Sequence, residues 1–309
     1  MTWAILSLLA GVVLAGLGGE LFLRGVLGFA RWMRIPSAIA AATLGAFATS
    51  SPELFVSTIA AVNGAPGIGL GDATGSNVVN IALILAVALL VKPLVTKRKV
   101  IALDFGVAIA ASVLIGLMAA DGVISRIEGA LLILGFLVWM TMHVREARRQ
   151  RAVPDDAAST DKPWRIASDS VGGLALLIMA GSLVVSGAQT IAAGFGIPPY
   201  LIGATLVALG TSMPELATTL VAVFRGHDDV GVGTLLGSNV FNALLIVGLT
   251  SSITPIAING HGLWVALGGA VVAVTLVWPG AREKLGRGRG VALIVVYALT
   301  MAMMAVFAR

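Results

Sequence analysis

The chain has 309 residues, of which 58% are hydrophobic and 11% charged, with a mean hydropathy of +1.00. That leaves too little polar surface for a water-soluble fold, so the solvent is the bilayer. There is no cysteine, which excludes disulfides, thiolate metal sites and cysteine nucleophiles. The net charge of +5 would suggest nucleic acid in a soluble protein. Here the basic residues report topology, and no nucleic-acid partner is expected.

A helix needs about 20 mostly apolar residues to cross the hydrocarbon. Ten such stretches follow one another along the chain, at about 4–28, 36–62, 68–91, 100–119, 123–143, 170–194, 199–224, 230–253, 261–278 and 290–307. The first has no basic segment before it and no small-residue cleavage site after it, and so reads as a retained helix. Arg145 to Asp169 is the one long polar interruption. The predicted fold is therefore all-α integral membrane. It has a first half at 1–144, a cytoplasmic linker at 145–169 and a second half at 170–309, with five transmembrane helices in each half.

With successive loops on opposite sides, all of the 20 basic residues except Arg126 and Arg309 fall on one side. Positive charge marks the cytoplasm, which places both termini outside. The six tryptophans, Trp3, Trp32, Trp139, Trp164, Trp264 and Trp278, sit near predicted helix ends, as interfacial aromatics do.

A gapless shift of 162 residues lays one half on the other. Ile35-Pro36 falls on Ile197-Pro198, Thr43-Leu44 on Thr205-Leu206, and Thr49-Ser50 on Thr211-Ser212. The match continues from Pro52-Glu53-Leu54 to Pro214-Glu215-Leu216, from Gly75-Ser76-Asn77-Val78 to Gly237-Ser238-Asn239-Val240, and from Asn80 to Asn242. Each half has an odd number of spans, so the second copy enters the membrane from the other side. Such inverted repeats are a transporter plan, with the substrate near the midplane. A duplication kept only for packing does not explain why the matches gather on polar residues.

Thr49 and Thr211 lie at the centres of their spans. Pro52 and Pro214 each remove a backbone donor and clash with the carbonyl four residues earlier. This is expected to free the carbonyls of 46–48 and 208–210 toward a cavity. Thr49 and Glu53 share a helical face, as do Ser76 and Asn80, Thr211 and Glu215, and Ser238 and Asn242. Four such faces would bring together two carboxylates, several hydroxyls and two amides, with no nitrogen or sulfur donor. An all-oxygen set of this kind suits hard cations such as calcium and sodium, and a carboxylate at the bilayer centre is a functional group by default.

These paired motifs resemble the two repeats of the calcium/cation antiporters, the superfamily of sodium/calcium exchangers. The size and span plan look like its compact prokaryotic members. The resemblance implies that Thr49, Ser50, Glu53, Ser76 and Asn80, with Thr211, Ser212, Glu215, Ser238 and Asn242, line the ion sites. It also implies that Ala46 and Ala208 add backbone carbonyls, and that the first and sixth spans slide across the other eight. Two departures stand out: Asn242 where some relatives have aspartate, and Ala48 where glycine is usual. The expected activity is exchange of calcium for sodium by alternating access across a prokaryotic plasma membrane. The expected protein works as a single copy among membrane lipids, with no cofactor, and potassium involvement is left open. Proton/calcium exchange is the nearest alternative. A cation channel and an intramembrane hydrolase lack support in the sequence, and the chain is not expected to be an enzyme.

Three readings concern residues outside this set. Asp72, whose copy is Thr234, is read as a solvated helix end rather than a vestibule group. Glu20 and Arg24 are read as an i, i+4 ion pair, and His143, His227 and His261 as solvated. The basic loop at 145–165 is read as a topology signal, with contact to anionic lipid as the alternative.

Overall fold

A computed structural model describes residues 2–32, 46–149, 162–224, 226, 228–281 and 283–307. Outside them lie 36–45 of the second predicted span, the repeat anchors at 35–36 and 43–44, and 150–161 of the linker. His227, Arg225, Arg282 and Arg309 lie outside them as well.

The helices are α1 (Thr2–Trp32), α2 (Ala46–Thr49) and α3 (Ser51–Val62), followed by α4, which runs from Pro66–Val78 through the π segment Val79–Leu85 into Ala86–Val91. Then come α5 (Arg98–Met118), α6 (Arg126–Arg149), α7 (Pro163–Phe195), α8 (Pro199–Thr211) and α9 (Met213–Phe224). The next, α10, runs from Asp228–Val240 through the π segment Phe241–Ile246 into Val247–Ile253, and α11 (Gly262–Val277) and α12 (Arg287–Phe307) complete the chain. Among the described residues seven helices are long and apolar enough to cross a bilayer. An eighth crossing forms if α8 and α9, bent by 43°, count as one, and α3 and α11 are shorter apolar helices.

The all-helical expectation holds apart from two small ladders that pin loops. Strand β1 (Leu94–Val95) pairs antiparallel with β4 (Lys284–Leu285), and β2 (Val123–Ile124) pairs antiparallel with β3 (Ile256–Ala257). Residues 94–95 shifted by 162 give 256–257, so the same clasp occurs twice. Lys92, Arg98, Arg287 and Arg289 gather around the first ladder, where Lys92 pairs with Asp228 at 2.9 Å and Arg98 bonds to Glu283 and Pro279. Arg126 stands at the other ladder's end, bonded to the carbonyl of Ile253.

Helices α4 and α10 are the centre of the molecule. In each, 78% of the spanning window is buried, against 33%, 22% and 22% for α5, α6 and α12. The lipid-facing helices keep apolar side chains outward, as Leu117, Ile127 and Val306 do, because lipid rather than water surrounds them. Trp139 departs from the interfacial reading: it is 3% exposed and its indole donates to Asp104 at 2.9 Å. His143 is likewise not solvated, since its ring bonds to Asp104 at 2.6 Å, whereas His261 is exposed as expected. Glu20 and Arg24 form the expected surface pair.

Along α1 and α7, contacts pair rising numbers with falling ones. Gly11 meets Ala180 and Val184, Gly18 meets Gly173 and Leu177, and Gly25 meets Ser170, so the two helices run antiparallel. Small residues let membrane helices approach closely. A Cβ on Gly173 would stand 2.4 Å from the backbone nitrogen of Phe22, whereas one on Gly16 would meet nothing within 4 Å. Gly173→Leu should therefore lower stability by about 1–3 kcal/mol or more through overpacking against backbone, while Gly16→Ala should leave it unchanged. Thermal unfolding in detergent checks both, and equal melting temperatures for the two variants would contradict this packing.

Candidate functional site: a buried oxygen cluster between the two halves

The site forms where two interrupted helices meet α4 and α10. Between α2 and α3 the chain leaves helical geometry at Ser50 (φ −88°, ψ 10°), and between α8 and α9 at Ser212 (φ −82°, ψ 8°). Pro52 and Pro214 lie two residues beyond these breaks, where a missing amide hydrogen is tolerated. One expectation needs correction. The carbonyl of Ala208 is not freed, because it accepts the amide of Ser212 at 3.2 Å. The break is a tightened turn, so the backbone stays bonded across it. Ala46 opens α2 and its side chain lies outside the described residues.

Glu53 and Glu215 are both fully buried, and they are bonded crosswise. The Ser50 hydroxyl donates to Glu215 Oε1 at 3.1 Å, and the Ser212 hydroxyl donates to Glu53 Oε1 at 3.1 Å. Thr49 and Thr211 stand near Glu215 and Glu53 respectively, the Thr211 hydroxyl donating to Asp72. Each carboxylate is thus held by hydroxyls from the other half, and among the described residues no lysine or arginine reaches either one. The bonds fix one oxygen of each carboxylate and leave the other, Oε2, buried without a partner.

Helices α4 and α10 are clasped at the same depth. Asn77 donates its amide to the Asn239 carbonyl at 3.2 Å, and Asn239 donates to the Asn77 carbonyl at 3.0 Å. Asn80 further donates to Asn239 Oδ1 at 3.1 Å. The mirror bond from Asn242 is not made, and both of its amide atoms are buried without a partner. Asn80 and Asn242 each occupy the second position of a π segment. Such turns often occur at functional sites, and they shift the facing of the residues that follow.

Six oxygens from the predicted set therefore share one condition. Glu53 Oε2, Glu215 Oε2, Ser76 Oγ, Ser238 Oγ, Asn80 Oδ1 and Asn242 Oδ1 are all buried and all lack a hydrogen-bond partner. Burying one unsatisfied polar group costs about 1–3 kcal/mol, so a cluster of them persists where something else answers their lone pairs. No group of three His, Asp or Glu side chains gathers among the described residues. Two carboxylates and neutral oxygens are the donor chemistry that suits a hard cation.

Phe47 and Phe241 meet edge to face, 5.9 Å apart, and the ring contacts continue to Phe22 of α1 and to Phe136 and Trp139 of α6. From α1, Val12 would crowd a side chain at Gly210, and Gly19 faces Pro52. One helix therefore touches both breaks.

The sequence reading missed Asp72. It is fully buried, accepting the Thr211 hydroxyl at 2.9 Å and the Ser57 hydroxyl at 3.0 Å, and is not a solvated helix end. The rule that singled out the two glutamates, a carboxylate within a membrane span, applied to it as well. The Asn77 and Asn239 clasp was visible only as one more match in the repeat, and the π segments left no sequence signal.

A model of the family described as sodium/calcium exchanger protein matches residues 3–145 and 170–306. The chain belongs to this family. It is 36% identical over 264 residues to the putative antiporter CaxA of Alkalimonas amylolytica, covering 82% of each chain. It is 26% identical over 339 residues to the sodium/calcium exchanger MaX1 of Methanosarcina acetivorans, covering 96% of this chain and 97% of that one. Among solved structures, the sodium-calcium exchanger NCX_Mj soaked with sodium and strontium is similar at a TM-score of 0.68 and 27% identity, covering 97% of this chain and 98% of that one. As a member of this exchanger family, the chain is a membrane cation antiporter, and its work is transport rather than catalysis.

The reciprocal asparagine clasp yields a prediction. Asn77→Ala and Asn239→Ala each leave a buried carbonyl of the opposite half without its donor, at a cost of about 1–3 kcal/mol. Asn239→Ala also removes the acceptor of Asn80. Thermal unfolding in detergent should show both variants destabilised, Asn239→Ala the more so, and an unchanged melting temperature in either would contradict the clasp.

Proposed function

We propose that the protein exchanges calcium for sodium by alternating access, with Glu53 and Glu215 as the charged ligands of one shared cation site. The cluster of six buried, unpartnered oxygens, drawn in pairs from positions 162 apart, carries this reading. The names of MaX1 and NCX_Mj support the choice of ions. Two carboxylates balance the double charge of calcium, while hydroxyl and amide oxygens complete the 6–8 oxygen ligands that calcium takes. Thr49, Ser50, Ser76, Asn80, Thr211, Ser212, Ser238 and Asn242 are the neutral members of the set, with the backbone at Ala46 beside them.

In this reading the membrane is crossed ten times, by oppositely oriented halves at 1–144 and 170–309 joined by a cytoplasmic linker at 145–169. The antiparallel course of α1 and α7 and the twice-occurring strand clasp support the inversion. The basic residues around the β1–β4 ladder support that end as cytoplasmic, with both termini outside. On the opposite face lies a cavity of about 410 Å³, lined by Pro66, Leu70, Tyr200, Thr254 and Asn259 among others. Tyr200, in its lining, bonds to Thr74 at 2.9 Å. Helices α1 and α7, which pack on each other and of which α1 touches both breaks, form the moving pair.

Calcium and sodium compete for the same oxygens. Either occupant discharges the site enough for the halves to rock, whereas two bare carboxylates in low dielectric resist crossing. That difference makes the protein an exchanger and not a leak. An outward sodium gradient across proteoliposomes should drive calcium uptake, and Glu53→Gln and Glu215→Gln should each reduce it to background. Uptake that persists in both variants would reject the site. Uptake driven by a pH gradient alone, without sodium, would replace sodium by protons as the coupling ion on the same ligands.

A further inference from the structure

The polar residues of the site come in pairs 162 positions apart, with one exception. Asp72 has Thr234 as its counterpart, so a third buried carboxylate is carried by the first half alone. It does not join the two glutamates as a metal cluster. It stands behind Thr211 and takes the proton of that hydroxyl.

The Thr211 hydroxyl has one proton and three oxygens within reach: Asp72 Oδ1 at 2.9 Å, the Val207 carbonyl at 3.1 Å and the Ala208 carbonyl at 3.4 Å. The carboxylate is the nearest. A hydroxyl that donates to a fixed acceptor keeps both lone pairs for another partner. Asp72 cannot swing away from this task. Its second oxygen is held by Ser57 at 3.0 Å, and its helix crosses α8 backbone to backbone. A Cβ on Gly71 would lie 2.1 Å from the Tyr200 carbonyl, and one on Gly203 would lie 2.2 Å from the Ile68 carbonyl. In the second half a Cβ on Gly233, the counterpart of Gly71, would meet nothing within 4 Å.

We propose that Asp72 is a positioning and selectivity residue for the transported cation, holding the Thr211 hydroxyl with its lone pairs turned to the ion and biasing the site toward a divalent occupant. This rests on the reading that Glu53, Glu215 and Thr211 hold that ion. Groups that orient metal ligands from behind change affinity by about 10–100-fold when removed. A fixed charge acts twice as strongly on a divalent as on a monovalent cation at one distance, so its loss should fall mainly on calcium.

The test is a titration of the purified full-length protein in detergent with calcium alone and with sodium alone, read as thermal stabilisation, so that binding stays measurable where transport is lost. Asp72→Asn should weaken calcium binding about tenfold or more and sodium binding less, and its effect should shrink on a Thr211→Ala background. Should Asp72→Asn not be recovered folded, Asp72→Thr, which installs the residue found at 234, carries the same expectation. Equal weakening of both cations, unchanged binding of both, or an undiminished effect on the Thr211→Ala background would overturn the proposal. Glu53→Gln measured alongside separates the two levels. Retained calcium binding there rejects the site itself, whereas lost binding there with Asp72→Asn unaltered rejects only the role of Asp72.

Discussion

The structure turns on the crossed hydrogen bonds between Ser50 and Glu215 and between Ser212 and Glu53. A carboxylate in the middle of a bilayer protein is expensive, and among the described residues neither glutamate is given a cation of the protein's own. Each is instead steadied by a hydroxyl borrowed from the opposite half, which holds one oxygen and aims the other inward. Removing either half would leave the other's acid unsupported. The two glutamates therefore exist as a functional pair only when the halves are together.

Much of the remaining architecture serves that meeting. The serine breaks end one helix and begin the next at the depth of the acids, so that Ser50 and Glu53 lie on adjoining turns. The π segments in α4 and α10 carry Asn80 and Asn242 at matching positions, and the asparagine clasp fixes the distance between those two helices. Glycines let α4 meet α8 at backbone distance and let α1 lie along α7. Both contacts bring backbone close to backbone through the same small residue, and both follow from lipid offering no hydrophobic drive of its own.

The two-fold pattern of the site was legible in the sequence because its polar residues obey simple periodicities. Thr49 and Glu53 are one helical turn apart, and the repeat restates them at Thr211 and Glu215. What the sequence could not show is which atoms touch across the repeat, since Ser50 bonds to Glu215 and not to Glu53. The expectation of a freed carbonyl at Ala208 failed because a proline two residues past the break still permits the Ser212 amide to bond backward. Asp72 was passed over because the repeat itself argued against it, its counterpart being a threonine. Asp104, His143 and Trp139 join across α5 and α6, a contact that no spacing along one helix reveals.

On this reading a cation bridges the two glutamates through the oxygens the protein leaves unpartnered. A crystal structure of the protein grown with calcium, with anomalous difference density collected at long wavelength, tests it most directly. A bridging calcium should give a peak about 2.3–2.6 Å from both Glu53 Oε2 and Glu215 Oε2. A peak bound elsewhere, with the two carboxylates bonded only to protein or turned apart, would contradict it.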